Sequence, residues 1–214
     1  LIGSKTIYGS VTDDDGTIQK LEYSKNGTDW EEITVNNGSF TQNLDADGTY
    51  TLLFRVKDKN NTVFTANDAT ELSRPVLKGS DGDSASDNKL YVTVDTTNPN
   101  ADVPEFSLDG TTWTSDLLNN NTFAQKADTN SFYVRQYVYD ENGIDKVEVS
   151  IGSGAFYLAE KLLDPSGNQM KKTIGGKDYI AYKYQVTTAQ IAATASGSQT
   201  LNIRVTDKAG MSKE

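Results

Sequence analysis

The chain has 214 residues, which suits one or two domains, and its 20 Lys and Arg against 30 Asp and Glu give a net charge of −10. That charge disfavours nonspecific binding to nucleic acid and to anionic lipid, and it makes cations the natural small partners. Because the sequence contains no His and no Cys, it excludes a histidine general base, a Ser-His-Asp triad and a disulfide framework, and it disfavours a zinc or copper site.

The sequence shows no targeting or membrane-spanning segment. No run approaches the roughly 18 apolar residues of a spanning helix, and no basic-then-apolar signal opens the chain. Strand-like alternation begins almost at Leu1. We therefore expect an internal segment of a longer protein, with export and anchoring signals outside it.

The first motif in chain order joins two alternating apolar runs through an acidic turn. It reads VTDDDGTIQKLEYS over residues 11–24 and recurs as VYDENGIDKVEVS over residues 138–150. A period of two predicts half-buried strands, and an acidic turn with one glycine predicts a strand-to-strand connection. The recurrence predicts two copies of one domain.

A second motif, YSKNGTDW, ends at Trp30 and recurs as FSLDGTTW, which ends at Trp113, with a weaker echo VSIGSGAF that ends at Phe156. The pairs Asn26-Gly27 and Asp109-Gly110 predict type I′ turns, in which both central residues have a positive φ. Each of the two tryptophans is therefore predicted to follow a hairpin tip, on the return strand.

A third motif reads GTYTLLFRVKDK from Gly48 and GSQTLNIRVTDK from Gly197. Apolar residues alternate with polar ones in both copies, so Arg55 and Arg204 are predicted to point away from the core. Between the motifs of the second copy, TTAQIAATA over Thr187–Ala195 predicts one short helix with a threonine cap.

The boundary between the copies is predicted near Pro99. The run LYVTVDTTN over Leu90–Asn98 has the alternation of a final strand. Proline cannot donate to a sheet, and its fixed φ suits an extended linker. The predicted domains are residues 1–98 and 99–214.

Each predicted domain carries an insertion. The polar stretch 65–89 is predicted to be an inserted loop, and residues 162–177, with one proline and three glycines, are predicted to be a long loop or an added hairpin. The second domain is expected to lack its last strand. Many short strands separated by turns, without βα alternation, predict an all-β fold.

These motifs resemble the bacterial immunoglobulin-like repeats of large surface proteins and adhesins. The likeness lies in the acidic turns at 13–16 and 140–143, the hairpin motifs, the RV-x-D-K strand ends at 55–59 and 204–208, and the DTTNP linker at 95–99. The resemblance implies two tandem immunoglobulin-like β-sandwich domains, the second with the longer insertion, and a role in extension, spacing or adhesion.

A calcium site is predicted at the end of the second domain that receives the linker. In an immunoglobulin-like sandwich, the turns after the second and sixth strands lie at the same pole as the incoming chain. Ca²⁺ takes six to eight oxygen ligands. The alternative is ordinary turn chemistry, since Asp and Asn are common in tight turns. The predicted ligands are Asp95, Asn98, Asp140, Glu141 and Asp207.

Two other acidic segments have weaker claims to calcium. The first domain repeats the arrangement with Asp13, Asp15 and Asp58. The loop DGDSASDN over Asp81–Asn88 superficially resembles a calcium loop, but it lacks the glycine and terminal glutamate spacing of an EF-hand.

Trp30 and Trp113 are candidate ligand-binding residues, because exposed aromatic rings bind carbohydrate. The alternative is that each ring covers the edge of its own sandwich core. Exposure of both rings on one flat face would favour the first interpretation, and burial of both would favour the second.

The sequence predicts a non-catalytic protein, since nothing places two carboxylates as a glycosidase requires. The expected role is a spacer or adhesion module of a secreted or cell-surface bacterial protein, holding a functional region away from the cell. One alternative is a carbohydrate- or ligand-binding accessory module of a polysaccharide-active enzyme. Another is a subunit of a surface array or filament, whose open strand edge a neighbour would fill.

The expected partners follow from that role. They are neighbouring immunoglobulin-like domains of the same chain and a host or surface protein or glycan, without nucleic acid and without membrane contact by this segment.

Overall fold

The computed structural model describes residues 1–12, 18–58, 63–65, 89–115, 131–194, 197 and 199–214. The chain divides into two compact units, Leu1–Thr96 and Thr97–Glu214. The division falls two residues before the predicted boundary, because Pro99 is buried and the next residues already pair within the second unit. Among the described helices, none has the length and apolar character to cross a membrane.

The first unit is built from short strands around one long one. The described strands are β1 (Thr6–Ser10), β2 (Ile18–Ser24), β3 (Glu31–Ile33), β4 (Val35–Asn36), β5 (Ser39–Asn43), β6 (Gly48–Asp58), β7 (Val63–Thr65) and β8 (Leu90–Val94). They form two antiparallel sheets, one ordered β1-β5-β4 and the other β3-β2-β6-β7, with β8 also paired to β6.

The core of the first unit follows the predicted alternation. Leu21 and Tyr23 of β2 point inward opposite Val56 and Phe54 of β6, and Leu52 is fully buried. Burial of each large apolar side chain contributes about 1.5–3 kcal/mol. The two sheets therefore enclose one apolar layer, as a β-sandwich requires.

The described part of the second unit contains ten strands and one short helix. They are β9 (Asn100–Ala101), β10 (Glu105–Ser107), β11 (Ser131–Tyr139), β12 (Ile144–Ile151), β13 (Tyr157–Leu158), β14 (Glu160–Lys161), β15 (Lys171–Ile174), β16 (Lys177–Thr187), α1 (Thr188–Ala192), β17 (Leu201–Asp207) and β18 (Ser212–Lys213). One sheet is ordered β10-β11-β16-β14, with β15 on β16 and β9 on β11, and the other is ordered β13-β12-β17-β18.

The same alternation builds the second core. Val147 of β12 and Val205 of β17 are directly paired and each is 1% exposed. They pack with Val138 of β11 and Tyr182 of β16 from the other sheet. The prediction of all-β, immunoglobulin-like sandwich units is confirmed by this two-sheet arrangement in both halves of the chain.

The predicted insertion around 162–177 forms a hairpin. Strands β15 and β16 pair from Lys171↔Ile180 to Ile174↔Lys177, and they are joined by Gly175 and Gly176, whose φ values are 57° and 80°. Two successive positive φ values match the right-handed twist of the strands, which is why glycine stands at both positions. The inserted stretch at 65–89 lies almost wholly outside the described residues.

The predicted helix is confirmed, with a capping box at its start. The Thr187 side chain accepts from the backbone N–H of Gln190, and the Gln190 side chain accepts from the backbone N–H of Thr187. Two backbone N–H groups at the start of the helix therefore have acceptors, which stabilises a five-residue helix directly after β16.

The type I′ turns predicted at Asn26-Gly27 and Asp109-Gly110 are wrong. Among the described non-glycine residues only Asn37 has a positive φ, 50°, and with Gly38 at 78° it joins β4 to β5. Asn26 and Asp109 instead use their side-chain oxygens to accept backbone N–H groups two and three residues ahead, which a negative φ allows.

Candidate functional site

The acidic turn of the second unit, Asp140–Gly143, connects β11 to β12. Asp140 is half-buried, and its Oδ1 accepts the N–H of Asn142 at 2.8 Å. Gly143 closes the turn with a φ of 97°, a value that side chains rarely adopt. The turn therefore fixes the Asp140 carboxylate through its own backbone.

A second turn follows β17, and the Asp207 side chain holds its backbone in place. Its Oδ1 accepts the N–H of Ala209 at 2.7 Å and the N–H of Met211 at 2.9 Å, and its backbone N–H donates to the Met211 carbonyl at 3.0 Å. These hydrogen bonds stabilise the turn that connects β17 to β18. One carboxylate oxygen of Asp207 is thus fully used by the fold.

The second oxygen of Asp207 is different. The side chain is 1% exposed, and Oδ2 is buried without a hydrogen-bond partner among the described residues. A buried carboxylate oxygen that lacks a partner loses its hydration without compensation, which costs several kcal/mol. Such an atom in an otherwise well-satisfied turn marks a position where a water molecule or a cation would supply the partner.

The two turns meet in space. Ile144 is paired with Asp207 across β12 and β17, and the Lys208 N–H donates to the Gly143 carbonyl at 3.0 Å. As a result, carboxylate oxygens of Asp140 and Asp207 lie within 4.8 Å of one another. Two oxygens each 2.3–2.6 Å from one Ca²⁺ ion are separated by at most about 5 Å, so the pair fits a single ion.

The other predicted calcium ligands lie as follows. Glu141 is exposed, and its Oε2 accepts the hydroxyl of Tyr139 at 2.8 Å, a bond that raises the pKa of that tyrosine. Asn98 is exposed at the start of the second unit. Asp95 belongs to the first unit, where it is buried and its backbone N–H donates to the Ile2 carbonyl.

The weaker calcium candidates are largely undescribed. Asp13, Asp15 and the loop Asp81–Asn88 lie outside the described residues, as does the side chain of Asp58.

Trp30 and Trp113 are half-buried, and each ring contacts an arginine. The guanidinium carbon of Arg55 lies 4.3 Å from the Trp30 ring centroid, and that of Arg135 lies 4.5 Å from the Trp113 centroid. Cation–π contacts of this kind hold both partners in place. One face of each indole is therefore covered by the chain itself.

Each of these arginines also pairs with a glutamate directly across the sheet. Arg55 binds Glu22, and Arg135 Nε lies 2.7 Å from Glu105 Oε2. We call each glutamate, arginine and ring together a clasp. The sequence signal for it is a Glu placed eight residues before the aromatic residue, a spacing that the hairpin motifs alone do not reveal because each glutamate precedes its motif.

A third clasp lies in the other sheet of the second unit, at the weaker echo of the hairpin motif. Arg204 Nε lies 3.0 Å from Glu148 Oε2, and its guanidinium carbon lies 4.0 Å from the Phe156 centroid. Desolvation opposes ionisation of Glu148, but hydrogen bonds from Arg204 and Lys146 outweigh it and lower the pKa of the carboxyl. Each clasp therefore links two neighbouring strands of one sheet.

Comparisons with known proteins add little. No family model and no curated protein matches the chain. Among solved structures, the fibronectin(III)-like modules of CbhA from Clostridium thermocellum are similar at 11% identity, covering 99% of this chain and 82% of that one, with a TM-score of 0.43. A likeness at this level says nothing about function.

Proposed function

We propose that this chain is a non-catalytic pair of immunoglobulin-like modules that spaces or presents a functional region of a secreted or cell-surface bacterial protein. We further propose that its second module binds Ca²⁺ through Asp140 and Asp207. The observation that carries the calcium proposal is the buried Oδ2 of Asp207, which no hydrogen-bond donor reaches in the described part of the chain. A cation beside that oxygen would supply its missing partner and relieve the repulsion between two adjacent carboxylates.

The donor set selects the class of ion. It consists of carboxylate oxygens in a chain without His or Cys, which suits hard cations rather than zinc or copper. Ca²⁺ accepts irregular sites of six to eight oxygens, including backbone carbonyls and waters, whereas Mg²⁺ demands near-octahedral geometry. Asp95, Asn98 and Glu141 stay predicted ligands for the remaining positions.

The ion would have a mechanical role. Asp140 begins the turn between β11 and β12, and Asp207 is the last residue of β17, so one ion would bridge two side chains with 66 residues of chain between them. Bridging stabilises the folded state without any chemistry. That effect suits a module whose task is to keep its shape under load.

Thermal melting in calcium and in chelator tests the proposal. Calcium at about 100 times its Kd should stabilise the second unit by about 2.7 kcal/mol, because the ion binds the folded state alone. For a unit of this size the expected rise in Tm is about 10 °C. No change in Tm would contradict calcium binding.

The variant Asp207→Asn sharpens the test. The asparagine Oδ1 still accepts from Ala209 and Met211, but the negative charge is lost, so the calcium-induced rise in Tm should disappear. In chelator the variant should be at least as stable as the parent protein, because an unpaired buried charge has been removed.

The matched control is Asp164→Asn. Asp164 Oδ1 also accepts two backbone N–H groups in a turn, from Ser166 at 2.9 Å and Asn168 at 3.0 Å. This variant should keep the full calcium response. An equal loss of response in both variants would mean that calcium acts through general charge and not through Asp207.

A further inference from the structure

A cavity of about 220 Å³ lies in the second unit beside helix α1, away from the Asp207 turn. Its walls come from the end of β12, the turn that follows, the start of β13, β16 and the helix. No lining residue among those described is charged, although 23% of the chain is. The polar and aromatic groups that face it are Ser153, Tyr157, Tyr184, Gln190, Thr194 and Gln199.

One wall is aromatic. The rings of Tyr157 and Tyr184 are stacked with centroids 6.2 Å apart and an interplanar angle of 22°. Tyr157 is nevertheless 46% exposed, because it lies on the two-residue edge strand β13. An exposed ring held rigid by a second ring loses little conformational entropy when a ligand packs on it.

The polar wall is fixed in orientation by helix α1. Gln190 donates from Nε2 to the Tyr184 hydroxyl, while its Oε1 accepts the N–H of Thr187 at 2.9 Å. Because the Tyr184 oxygen accepts from Gln190, its own proton is available to a ligand. The Thr194 hydroxyl donates to the Ile191 carbonyl at 2.7 Å, which leaves its oxygen as an acceptor.

A glycine makes room for the amide at the cavity rim. A Cβ on Gly152 would lie 2.6 Å from Gln199 Oε1, closer than real contacts allow, and Gly152 has a φ of 56°. The positive φ favours glycine at this position, and the lack of a Cβ leaves room for the Gln199 amide beside the cavity.

From these groups we infer that the cavity binds a single neutral sugar ring at the end of a glycan. A pyranose has an apolar face that packs on an aromatic ring and hydroxyls that both donate and accept, which this pocket matches with a tyrosine wall, a hydroxyl donor, a hydroxyl acceptor and neutral amides. The volume lies below the roughly 300 Å³ at which pockets for drug-sized ligands begin, so it suits one ring. Neither Asp140 nor Asp207 lines this cavity, so sugar binding would not require calcium.

Titration by NMR of the full chain tests it. The probes are methyl β-glucopyranoside, methyl β-galactopyranoside and methyl α-mannopyranoside, each raised to about 50 mM because a ligand of this size is expected to bind with a Kd on the order of 1 mM. At least one should give saturable shifts at Tyr157, Tyr184 and Gln190. Absence of saturable shifts with all three would overturn the inference.

Two variants and one control locate the binding. Tyr157→Ala should weaken binding at least about tenfold by removing the stacking surface. Ser153→Arg, at an exposed rim position, should block the cavity while leaving the fold intact. The control Tyr8→Ala removes a tyrosine that is 78% exposed in the first unit and should leave the Kd unchanged.

The remaining outcomes decide against a sugar. Equal shifts in the parent protein and in Ser153→Arg would place binding elsewhere. Saturable binding of a proline tripeptide, with none of the glycosides bound, would make the cavity a peptide site, since aromatic grooves also hold polyproline. Either result would overturn the assignment.

Discussion

At the scale of single residues, buried carboxylates in this protein are held in two ways. Glu22 is 8% exposed and bonds to Arg55 and Lys20, and these hydrogen bonds lower the pKa of its carboxyl to about 2. Asp207 has backbone donors on one oxygen and no partner for the other among the described residues. Glu22 therefore has its partners within the fold, whereas the second oxygen of Asp207 has none among the described residues, which is the basis of the proposed calcium site.

The Glu22 pair predicts a pH dependence of stability. Because its folded pKa of about 2 lies below the usual value of 4.5, Glu22 stabilises the fold above pH 4.5, and that contribution is lost as the pH falls from 4.5 to 2. Glu22→Gln should cost about 1–3 kcal/mol at pH 7 and almost nothing at pH 2. Chemical denaturation across this range measures the difference, and a constant penalty at all pH values would contradict the ion pair.

At this scale the sequence predicted which acidic residues form the candidate site, but not the hydrogen bonds and burial of each carboxylate. It selected Asp140 and Asp207 because acidic residues follow equivalent strands in a repeated pattern. It could not show that one oxygen of Asp207 is buried with no partner in the described residues, because that depends on contacts made by Ala209 and Met211 after folding. The sequence likewise did not predict the pairing of Glu22 with Arg55, since the two lie 33 positions apart.

At the scale of elements, the loop after β10 repeats the backbone hydrogen bonds of the loop after β2. Gly27 and Gly110 each donate to a serine hydroxyl at 2.8 Å. Asn26 in one copy and Asp109 in the other accept two backbone N–H groups each. The backbone N–H groups of Thr112 and Thr111 hold the pKa of Asp109 well below its usual range.

That repetition makes a prediction about substitutions. Asp109→Asn should be nearly neutral, because the first copy already has asparagine there and the oxygen still accepts both N–H groups. Asp109→Ala should cost about 1–2 kcal/mol, since it leaves both donors unpaired. Equilibrium unfolding of both variants checks this, and equal stability of the two would contradict the loop's dependence on the side-chain oxygen.

The sequence predicted most elements and missed one turn type. Alternation found the long strands, and a threonine before a helical run found α1. Asn37-Gly38, where no turn was predicted, has the two positive φ values that were expected at Asn26-Gly27, although the dipeptide is the same. The difference is the serine two residues before Asn26, whose hydroxyl joins the hydrogen bonds and closes a longer loop.

At the scale of the whole molecule, each unit has a core of its own. The first centres on Leu52 and Tyr23, and the second on Val138, Val205 and their neighbours. Calorimetry should therefore resolve two unfolding transitions, and Asp207→Asn should alter only one of them. A single transition that shifts as a whole in the variant would contradict independent cores.

The repeated motifs made the architecture of two sandwich units predictable from the sequence. Motifs that recur at matching positions predict two copies without any structure, and both units are indeed sandwiches. The cavity beside α1 could not be predicted in this way. Its walls come from elements as distant in sequence as β12 and β16, and no motif spans them.

The positions of the clasp arginines also affect cleavage of the chain by arginine-specific proteases. Three of its four arginines, Arg55, Arg135 and Arg204, are clasp residues on strands paired on both sides, and the fourth, Arg74, precedes a proline. Arginine-specific cleavage is poor before proline and requires an extended, unpaired segment elsewhere. Such a protease should therefore leave the native chain intact, and its rate of digestion should report the opening of the sheets.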